Sequence, residues 1–287
     1  MSKKILSIGL TGLSIFYHVD HFPSIGETIS SKDFHLELGG KAFNAAYLLN
    51  KLKADVKLIT TIGNDSFKNL LIDEISKVKM NTKINMINDS NIVASILVDK
   101  DGQNEVIVSS KVNFSKDFKK EIFEEIDKAD ILLLTKEIEK DLINEIIDYA
   151  ILKNKEIAYN FSPVLNKDII LNDNIIYFVN EEEAKELLGE SYIDKALNKN
   201  LRIIITKGMF GLTLVENSKI TPISGLKVNS IDTTGAGDIL MASTIYYYSK
   251  GLSLEESLFK ANIIAASSTK YPYVLNSIDK IVKEIDD

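Results

Sequence analysis

The residues that most clearly indicate a chemical function form one string, Ile231–Asp238, with the sequence IDTTGAGD. This string lies directly before an apolar helical stretch. Glycines at 235 and 237 let the backbone turn its N–H groups toward a ligand without obstruction by a Cβ atom. Amides at a helix N-terminus attract negative charge, so Gly235, Ala236 and Gly237 are predicted to form an anion hole for a transferring phosphoryl group. Asp238, in the first helical turn, is the candidate base for an attacking hydroxyl.

Other functions for this string fit less well. A bare Gly-x-Gly-Asp is more often a plain turn followed by a helix-start acid, and only the complete string favours a phosphate site. The dinucleotide motif Gly-x-Gly-x-x-Gly is excluded because Leu240 stands where its third glycine would be. The chain also has no Gly-x-x-x-x-Gly-Lys-Ser/Thr loop. The string therefore favours phosphoryl transfer.

The elements that position this string alternate between short β-branched apolar runs and amphipathic stretches. This alternation predicts a mainly parallel sheet with helices on both faces. The predicted strands are Ile5–Leu10, Val56–Ile62, Ile131–Leu134, Ile157–Tyr159, Ile175–Val179, Ile203–Thr206 and Leu212–Val215. The predicted helices are Asn44–Leu52, Ser66–Val78, Asp141–Leu152, Glu181–Leu188, Ala236–Ser249, Ser253–Lys270 and Ser277–Ile285.

Two regions interrupt the alternation and lack crossover helices. Residues 13–37 predict two strands around a turn, and residues 91–110 predict a hairpin with its turn at Asp101-Gly102. The predicted strands here are Leu13–Val19, Ser30–Leu38, Ile92–Val98 and Glu105–Val108. We expect both segments to form a small β-sheet lid over a cleft, inserted into a single domain spanning residues 1–287.

Composition limits the other classes of function. The 287-residue chain has a formal net charge of −7 and no block of Lys/Arg, so nucleic acid and anionic membranes are not expected partners. The absence of cysteine excludes disulfides, thiolate catalysis and cysteine-based metal sites. No run approaches the roughly 18 apolar residues of a membrane span, so we expect a cytoplasmic protein.

The chain resembles the ribokinase-like (PfkB) carbohydrate kinases in two signature regions that occur in the family's order. One is Gly39–Ala46, with the sequence GGKAFNAA, and the other is Asp232–Asp238. The resemblance runs from Ile5 to about Lys270. It implies a three-layer α/β/α fold with a β-sheet lid, ATP as phosphoryl donor, Mg²⁺ as cofactor, and Asp238 as catalytic base.

The resemblance also implies roles for residues outside the anion hole. Those facing the sugar would be Gly39, Gly40, Lys41 and Asn44, with Glu137 as a further sugar contact. Those binding the nucleotide would be Asn180, Thr206, Gly208, Gly211 and Asn262. Glu183 would organise Mg²⁺ through water, although Asn180 with Glu183 also matches an ordinary helix capping box.

Several positions depart from the family. Gly12 and Ser14 stand where ribokinases carry an Asn and an Asp that bind sugar hydroxyls, so ribose and fructose are not assumed as substrates. Ala42 replaces a third glycine, and the bulky Phe43 follows it, which we expect to alter the acceptor pocket. Ribokinases bind a monovalent cation through a glycine-rich loop, and Tyr271–Leu275 has no glycine there, which counts against activation by K⁺.

The lid contains all three histidines, His18, His21 and His35. A metal site and a solvated or dimer-facing lid surface are the alternatives, and strand alternation and the absence of cysteine favour the surface. Exposed strand edges in a small sheet also predict a homodimer through the lid.

The predicted function is an ATP-dependent kinase acting on a hydroxyl of a sugar or sugar-like molecule. One alternative is a nucleoside or vitamin kinase of the same fold, with Phe43 and the missing sugar carboxylate leaving room for a stacked ring. The other is a catalytically silent regulator that binds sugar or nucleotide.

Overall fold

The computed structural model describes residues 3–109, 113–162 and 171–286. Its strands are β1 (Ile5–Ile8), β2 (Gly12–His18), β3 (Asp33–Gly39), β4 (Val56–Gly63), β5 (Asn81–Ile87), β6 (Val93–Val98), β7 (Asn104–Val108), β8 (Ile131–Thr135), β9 (Glu156–Asn160), β10 (Ile175–Asn180), β11 (Arg202–Thr206), β12 (Gly211–Glu216) and β13 (Lys219–Ser224). Its helices are α1 (Lys41–Lys51), α2 (Lys68–Val78), α3 (Lys119–Lys128), α4 (Lys140–Leu152), α5 (Glu181–Leu188), α6 (Tyr192–Asn198), α7 (Ala236–Ser249), α8 (Leu254–Ser268) and α9 (Val274–Asp286). Positions 1, 110 and 287, which bound the predicted domain and second lid segment, lie outside the described residues.

The larger sheet has nine strands in the order β13-β12-β11-β10-β9-β8-β1-β4-β5. All neighbours from β11 to β5 are parallel, and only β12 and β13 run antiparallel to the strands beside them. The interior strand β1 is buried at every residue, with Ile5 in one hydrophobic cluster and Leu6 and Ile8 in the other. A strand covered on both faces has no solvent side, which explains its continuous apolar sequence.

Helices cover both faces of this sheet. Residues of α1, α2, α7, α8 and α9 belong to one hydrophobic cluster, and residues of α3, α4, α5 and α6 belong to the other. The predicted three-layer α/β/α fold with a mainly parallel sheet is therefore confirmed. Within the described residues, no helix is long and apolar enough to cross a membrane.

A second sheet of four strands, in the order β3-β2-β6-β7, forms the predicted lid. Its β2–β3 and β6–β7 pairs are antiparallel, while β2 and β6 run parallel. Leu13, Phe16 and Ile96 point from this sheet into the hydrophobic cluster that contains α1 and α7. The lid is thus packed onto the helices that carry both signature regions.

Some elements differ from the sequence prediction. β5, β13, α3 and α6 were not predicted, and β1 ends at Ile8, two residues early. Most residues of β5 and β13 are exposed or half-buried, since both strands lie at sheet edges, so neither shows a continuous apolar run. The second strand of the first lid segment begins later than predicted, at Asp33 instead of Ser30.

Candidate active site

The predicted anion hole lies where α7 begins. Gly235 is the N-cap residue with φ 75°, a left-handed conformation that favours glycine, and no side chain caps the helix. A Cβ atom on Gly235 would lie 2.8 Å from Val274 Cγ1, whereas one on Gly237 would meet no atom within 4 Å. No side chain uses the first amides of α7, although Ala236 N donates to the Thr233 carbonyl at 3.3 Å, and the backbone at Gly237 faces open space. This geometry suits an anionic ligand.

Asp238 is buried beside this helix end, with 6% of its surface exposed. Asn44 Nδ2 donates to its Oδ2 at 2.9 Å, and Asn160 Nδ2 donates to its Oδ1 at 3.3 Å. Burial raises the pKa of Asp238 to about 6, opposed by the charge of Lys41 and the hydrogen bond from Asn44. Asp238 is thus still ionised at neutral pH but far more basic than an exposed aspartate, as a general base requires.

Asn160 was missed by the sequence analysis. It is the last residue of β9 and is 8% exposed. The available signal was its position, because polar residues at the carboxyl ends of parallel strands line ligand crevices in α/β folds. The predicted strand stopped one residue earlier, so Asn160 was not considered.

A pair of oppositely charged side chains, Lys41 and Glu137, faces Asp238. Lys41 Nζ lies 3.3 Å from Glu137 Oε1, and Thr135 Oγ1 donates to Glu137 Oε2 at 3.2 Å. The negative charge of Glu137 raises the pKa of Lys41, so this ammonium stays protonated. Lys41 and Glu137 come from elements far apart in sequence and form a fixed polar wall.

One cavity of ≈ 1240 Å³ joins most of the predicted site residues. This volume exceeds that of a pocket for one drug-sized ligand, so it has room for an acceptor and phosphates together. The predicted residues that line it are Gly12, Ser14, Gly39, Gly40, Lys41, Asn44, Glu137, Asn180, Glu183, Thr206, Gly235, Ala236, Gly237 and Asp238. Sequence regions separated by more than two hundred residues thus meet at one site.

The lid side of this cavity is mostly apolar. Its lining residues from β6 and β7 and the residue before β6 include Ile92, Ala94, Ile96, Val106 and Val108. The departures at positions 12 and 14 belong to the same wall. A Cβ at Gly12 would collide with the carbonyl oxygen of Ile92, so the backbone leaves no room for a side chain there. Ser14 and Asn104 are polar lining residues of the lid strands, whereas the charged lining residues come from outside the lid.

The expected effect of Ala42 and Phe43 on the acceptor pocket is wrong. Phe43 is fully buried and stacks on Tyr47 with ring centroids 5.9 Å apart. Ala42 is also fully buried and neighbours Gly9. Neither side chain lines the cavity, because their positions on α1 face the hydrophobic cluster while Lys41 and Asn44 face the site.

Asn180 and Glu183 form the capping box that the sequence allowed. Glu183 N donates to Asn180 Oδ1 at 2.8 Å, and Asn180 N donates to Glu183 Oε2 at 2.8 Å. Both residues also line the cavity. Capping fixes the position of the Glu183 carboxylate without removing it from the site.

Gly208, Gly211 and Asn262 lie together outside the cavity lining. Gly211 has φ 99° and accepts a hydrogen bond from Lys207 N at 2.8 Å, which closes the turn between β11 and β12. Asn262 Nδ2 donates at 2.9 Å to the carbonyl of Ser224, the last residue of β13. Phe210, at the same turn, is 78% exposed and offers an apolar surface. The structure therefore separates these residues from the reacting groups while keeping them near each other.

The lid histidines each have their own carboxylate partner. His18 Nδ1 lies 2.8 Å from Asp33, and His21 Nε2 lies 3.0 Å from Glu27. His35 Nε2 lies 3.2 Å from Glu37. Among the residues that the structure describes, no cluster of three or more His, Asp or Glu could hold a metal ion.

The fold and this site define a phosphotransferase of the carbohydrate kinase class. The family model described as pfkB family carbohydrate kinase matches residues 2–281. The chain belongs to this family. It is similar to the ribokinase of Mus musculus, with 29% identity over 301 residues covering 95% of this chain and 93% of that protein. It is also similar to the deoxyribokinase of Salmonella typhi, with 26% identity over 283 residues covering 92% of each chain.

Solved structures share this fold. The crystal structure of ribokinase from Thermotoga maritima has a TM-score of 0.82 and 26% identity, covering 99% of this chain and 100% of that one. Arabidopsis thaliana ribokinase complexed with ribose and ATP has a TM-score of 0.77 and 24% identity, with 99% of both chains covered. The predicted resemblance to the PfkB carbohydrate kinases is confirmed.

Proposed function

We propose that this chain transfers the γ-phosphoryl group of ATP to a hydroxyl of a sugar or sugar-like small molecule. The observation that carries the proposal is Asp238, a buried carboxylate of raised pKa at the uncapped start of α7. It shares one cavity with the Lys41–Glu137 pair, so a base, an anion hole and a polar acceptor wall lie together.

In the proposed reaction, an acceptor hydroxyl oxygen forms a bond to the γ-phosphorus of ATP. The bond between that phosphorus and the bridging oxygen breaks, ADP leaves, and the hydroxyl proton passes to the carboxylate of Asp238. Backbone N–H groups of Gly235, Ala236 and Gly237 donate to the phosphoryl oxygens as charge shifts. Because such a transition state is loose, positioning and charge neutralisation contribute more than the strength of the base.

Mg²⁺ fits the residues at the phosphate end of the cavity. Mg²⁺ prefers oxygen ligands and is usually held by one or two carboxylates, substrate phosphates and water. Glu183 supplies a carboxylate fixed by its capping box, and Asn180 lies beside it. When bound, the ion would neutralise phosphate charge.

A monovalent cation fits poorly near the turn before α9. Here Tyr273 N donates to Asp232 Oδ2 at 3.0 Å, and Val274 N donates to Glu37 Oε1 at 2.9 Å. Thr234 N donates to the other oxygen of Asp232 at 2.8 Å. Backbone N–H groups of this turn already donate to the carboxylates of Asp232 and Glu37, which a cation would need as ligands. We therefore infer that the reaction is independent of K⁺. Equal initial rates in K⁺ and in tetramethylammonium buffers are expected, and a large K⁺ stimulation would contradict this inference.

The cavity favours an acceptor with one polar edge and one apolar face. Asn44 is 7% exposed, and within the described part of the chain its Oδ1 atom accepts no hydrogen bond. A buried acceptor without a donor is unfavourable, so a substrate hydroxyl is its natural partner. Ser14 offers a single hydroxyl where ribokinases carry a carboxylate. An acceptor that does not depend on a carboxylate at this point, such as a deoxy sugar, is therefore favoured.

A nucleoside or vitamin acceptor is the second candidate. The apolar residues of β6 and β7 would pack against a flat ring, which is the one observation that favours it. Phe43 does not favour such an acceptor, because its ring lies in the hydrophobic cluster.

The test is ADP formation from MgATP by purified protein with pentoses, deoxypentoses, hexoses, sugar phosphates and nucleosides. Asp238→Asn is measured in parallel. Turnover that needs one acceptor and is lost in the variant supports the proposal. ATP binding without acceptor-dependent turnover by the wild type across the panel would favour a silent regulator.

We also propose a homodimer through the lid, in a cytoplasmic protein that uses cellular ATP. β3 and β7 are the free edges of the lid sheet, and Phe34 and Ile107 on these strands are 61% and 67% exposed. Unpaired strand edges with apolar side chains favour pairing with another chain. Light scattering after size-exclusion chromatography should give twice the chain mass, and Ile107→Lys should shift it to the monomer.

A further inference from the structure

One lid strand is fastened to the start of α9 by a buried carboxylate. Glu37, on β3, is 8% exposed. Its Oε1 accepts hydrogen bonds from Val274 N at 2.9 Å and from Leu275 N at 3.2 Å. The first amides of a helix lack intrahelical partners, and a carboxylate there is favourable. The Glu37 carboxylate of the lid therefore caps the N-terminus of α9.

The residue before α9 joins the same connection. The ring of Tyr273 stacks on the His35 ring of β3 with centroids 3.8 Å apart, and its hydroxyl donates to Asp33 Oδ2 at 2.9 Å. Its φ is 65°, which is unusual for an aromatic residue and indicates that the surroundings hold it in place. The side chain of Tyr273 thus belongs to the lid, while its backbone belongs to the turn before α9.

This turn also contacts the anion-hole residues. Tyr273 N donates to Asp232, whose other oxygen accepts a hydrogen bond from Thr234 N. Val274 packs so closely against Gly235 that no Cβ atom fits between them. The position of Gly235 is therefore set partly by the turn that the lid holds.

The opposite edge of the lid sheet, formed by β7, contacts the same loop directly. Asn104 Nδ2, on β7, lies 3.0 Å from Thr234 Oγ1, and Thr233 Oγ1 donates to the Gly102 carbonyl at 3.0 Å. The lid consequently contacts the anion-hole loop directly from its β7 edge, and from its β3 edge through the turn before α9, which Glu37 and Tyr273 hold.

We propose that Glu37 is a positioning residue that, together with Asn104, couples the lid to the anion hole, so that the phosphate-binding amides reach their productive arrangement only when the lid is seated. This coupling rests on the proposed kinase function and adds its regulation. An acceptor bound under the lid would steady the lid and thereby the anion hole. Without an acceptor, the amides would be less well placed, which would limit transfer of phosphate to water.

The structural part of the test does not require the acceptor to be known. Hydrogen exchange of residues 233–238 is followed by mass spectrometry in the full-length wild type, Glu37→Ala and Asn104→Ala. Both variants should exchange faster in this segment, although Glu37 contacts none of its residues. Glu27→Gln is the matched control, since this exposed carboxylate bonds to His21 and Ser24 in the lid turn. Unchanged exchange in residues 233–238 in both variants would overturn the coupling.

The kinetic part uses the acceptor that the panel identifies. A misplacement of about 1 Å can lower a rate roughly a hundredfold, so Glu37→Ala should reduce kcat by between about tenfold and a hundredfold with little change in the KM for ATP. Glu37→Gln keeps one acceptor oxygen for the α9 amides and should recover most of this loss. A variant that only loses thermal stability, with unchanged kcat per folded molecule, would refute the positioning role. If the wild type uses no acceptor but exchange responds as expected, the kinase proposal fails while the coupling stands.

Discussion

Replacing Asp238 with asparagine tests the effect of this side chain on turnover separately from its effect on folding stability. The substitution keeps the side-chain shape and one oxygen that can accept the hydrogen bond from Asn44. It removes the carboxylate that is proposed to accept the hydroxyl proton. General bases contribute on the order of 10²–10⁴ in rate, so Asp238→Asn should lower kcat by that factor while ATP binding is retained.

The same substitution should stabilise the protein at high pH. Burial raises the pKa of Asp238 from 3.8 in the unfolded chain to about 6, which corresponds to about 3 kcal/mol at most. The folded state binds this proton more tightly than the unfolded chain does. Folding stability is therefore lost as the pH rises from 3.8 through about 6. Asp238→Asn should be more stable than the wild type at pH 8, and the difference should vanish near pH 4.

Two assays check this reasoning. Acceptor-dependent ADP formation gives kcat, and denaturant unfolding at a series of pH values gives the free energy of unfolding. Asp20→Asn, an exposed lid residue paired with Lys32, is the control and should change neither. Near-wild-type turnover of Asp238→Asn would refute the base role. A variant less stable than the wild type at pH 8 would refute the argument from burial.

Substitutions at Lys41, Glu37 and two glycines test other parts of the site and the lid. Lys41→Met removes a charge that lowers the pKa of Asp238, so the acid limb of the kcat/KM profile should move to higher pH; a limb that stays near pH 6 would contradict this. Burial raises the pKa of Glu37 to about 7, so the stability that its protonated form contributes is lost as the pH rises from 4.5 through 7. In chemical unfolding, Glu37→Gln should therefore be more stable than the wild type at pH 8 but not at pH 4.5. Gly235→Ala should lower Tm because its φ is positive, whereas Gly237→Ala, with open space around it, should keep Tm, and equal Tm losses would contradict the assigned backbone roles.

The sequence was sufficient for the layer architecture because buried parallel strands have a distinctive pattern. β1, β8 and β10 are apolar along nearly their whole length, and each was predicted. The edge strands β5 and β13 mix polar and apolar residues, so no continuous apolar run marked them. Pairing order could not be obtained from pattern alone, since it depends on contacts between distant segments.

Site residues in contiguous motifs were easier to find than isolated ones. The Asp232–Asp238 string and Gly39–Asn44 were predicted because neighbouring residues reinforce one another. Asn160 stands alone at a strand end, and its role is visible only from the hydrogen bond to Asp238. Phe43 shows the opposite error, because helix rotation decides which residues of α1 face the cavity, and the motif does not specify that rotation.

The hydrogen bond between Asn44 and Asp238 spans 194 residues of chain. Closing such a long loop is slow relative to local contacts, and chains made on the ribosome fold from the N-terminal end. β1 must also wait for β8 to reach it from residue 131. The proposed base and the residue that hydrogen-bonds to it consequently meet only after residue 238 has been made. A growing chain that stops short of residue 238 would therefore lack the complete proposed catalytic centre, and it would not transfer phosphate before it can close over a substrate.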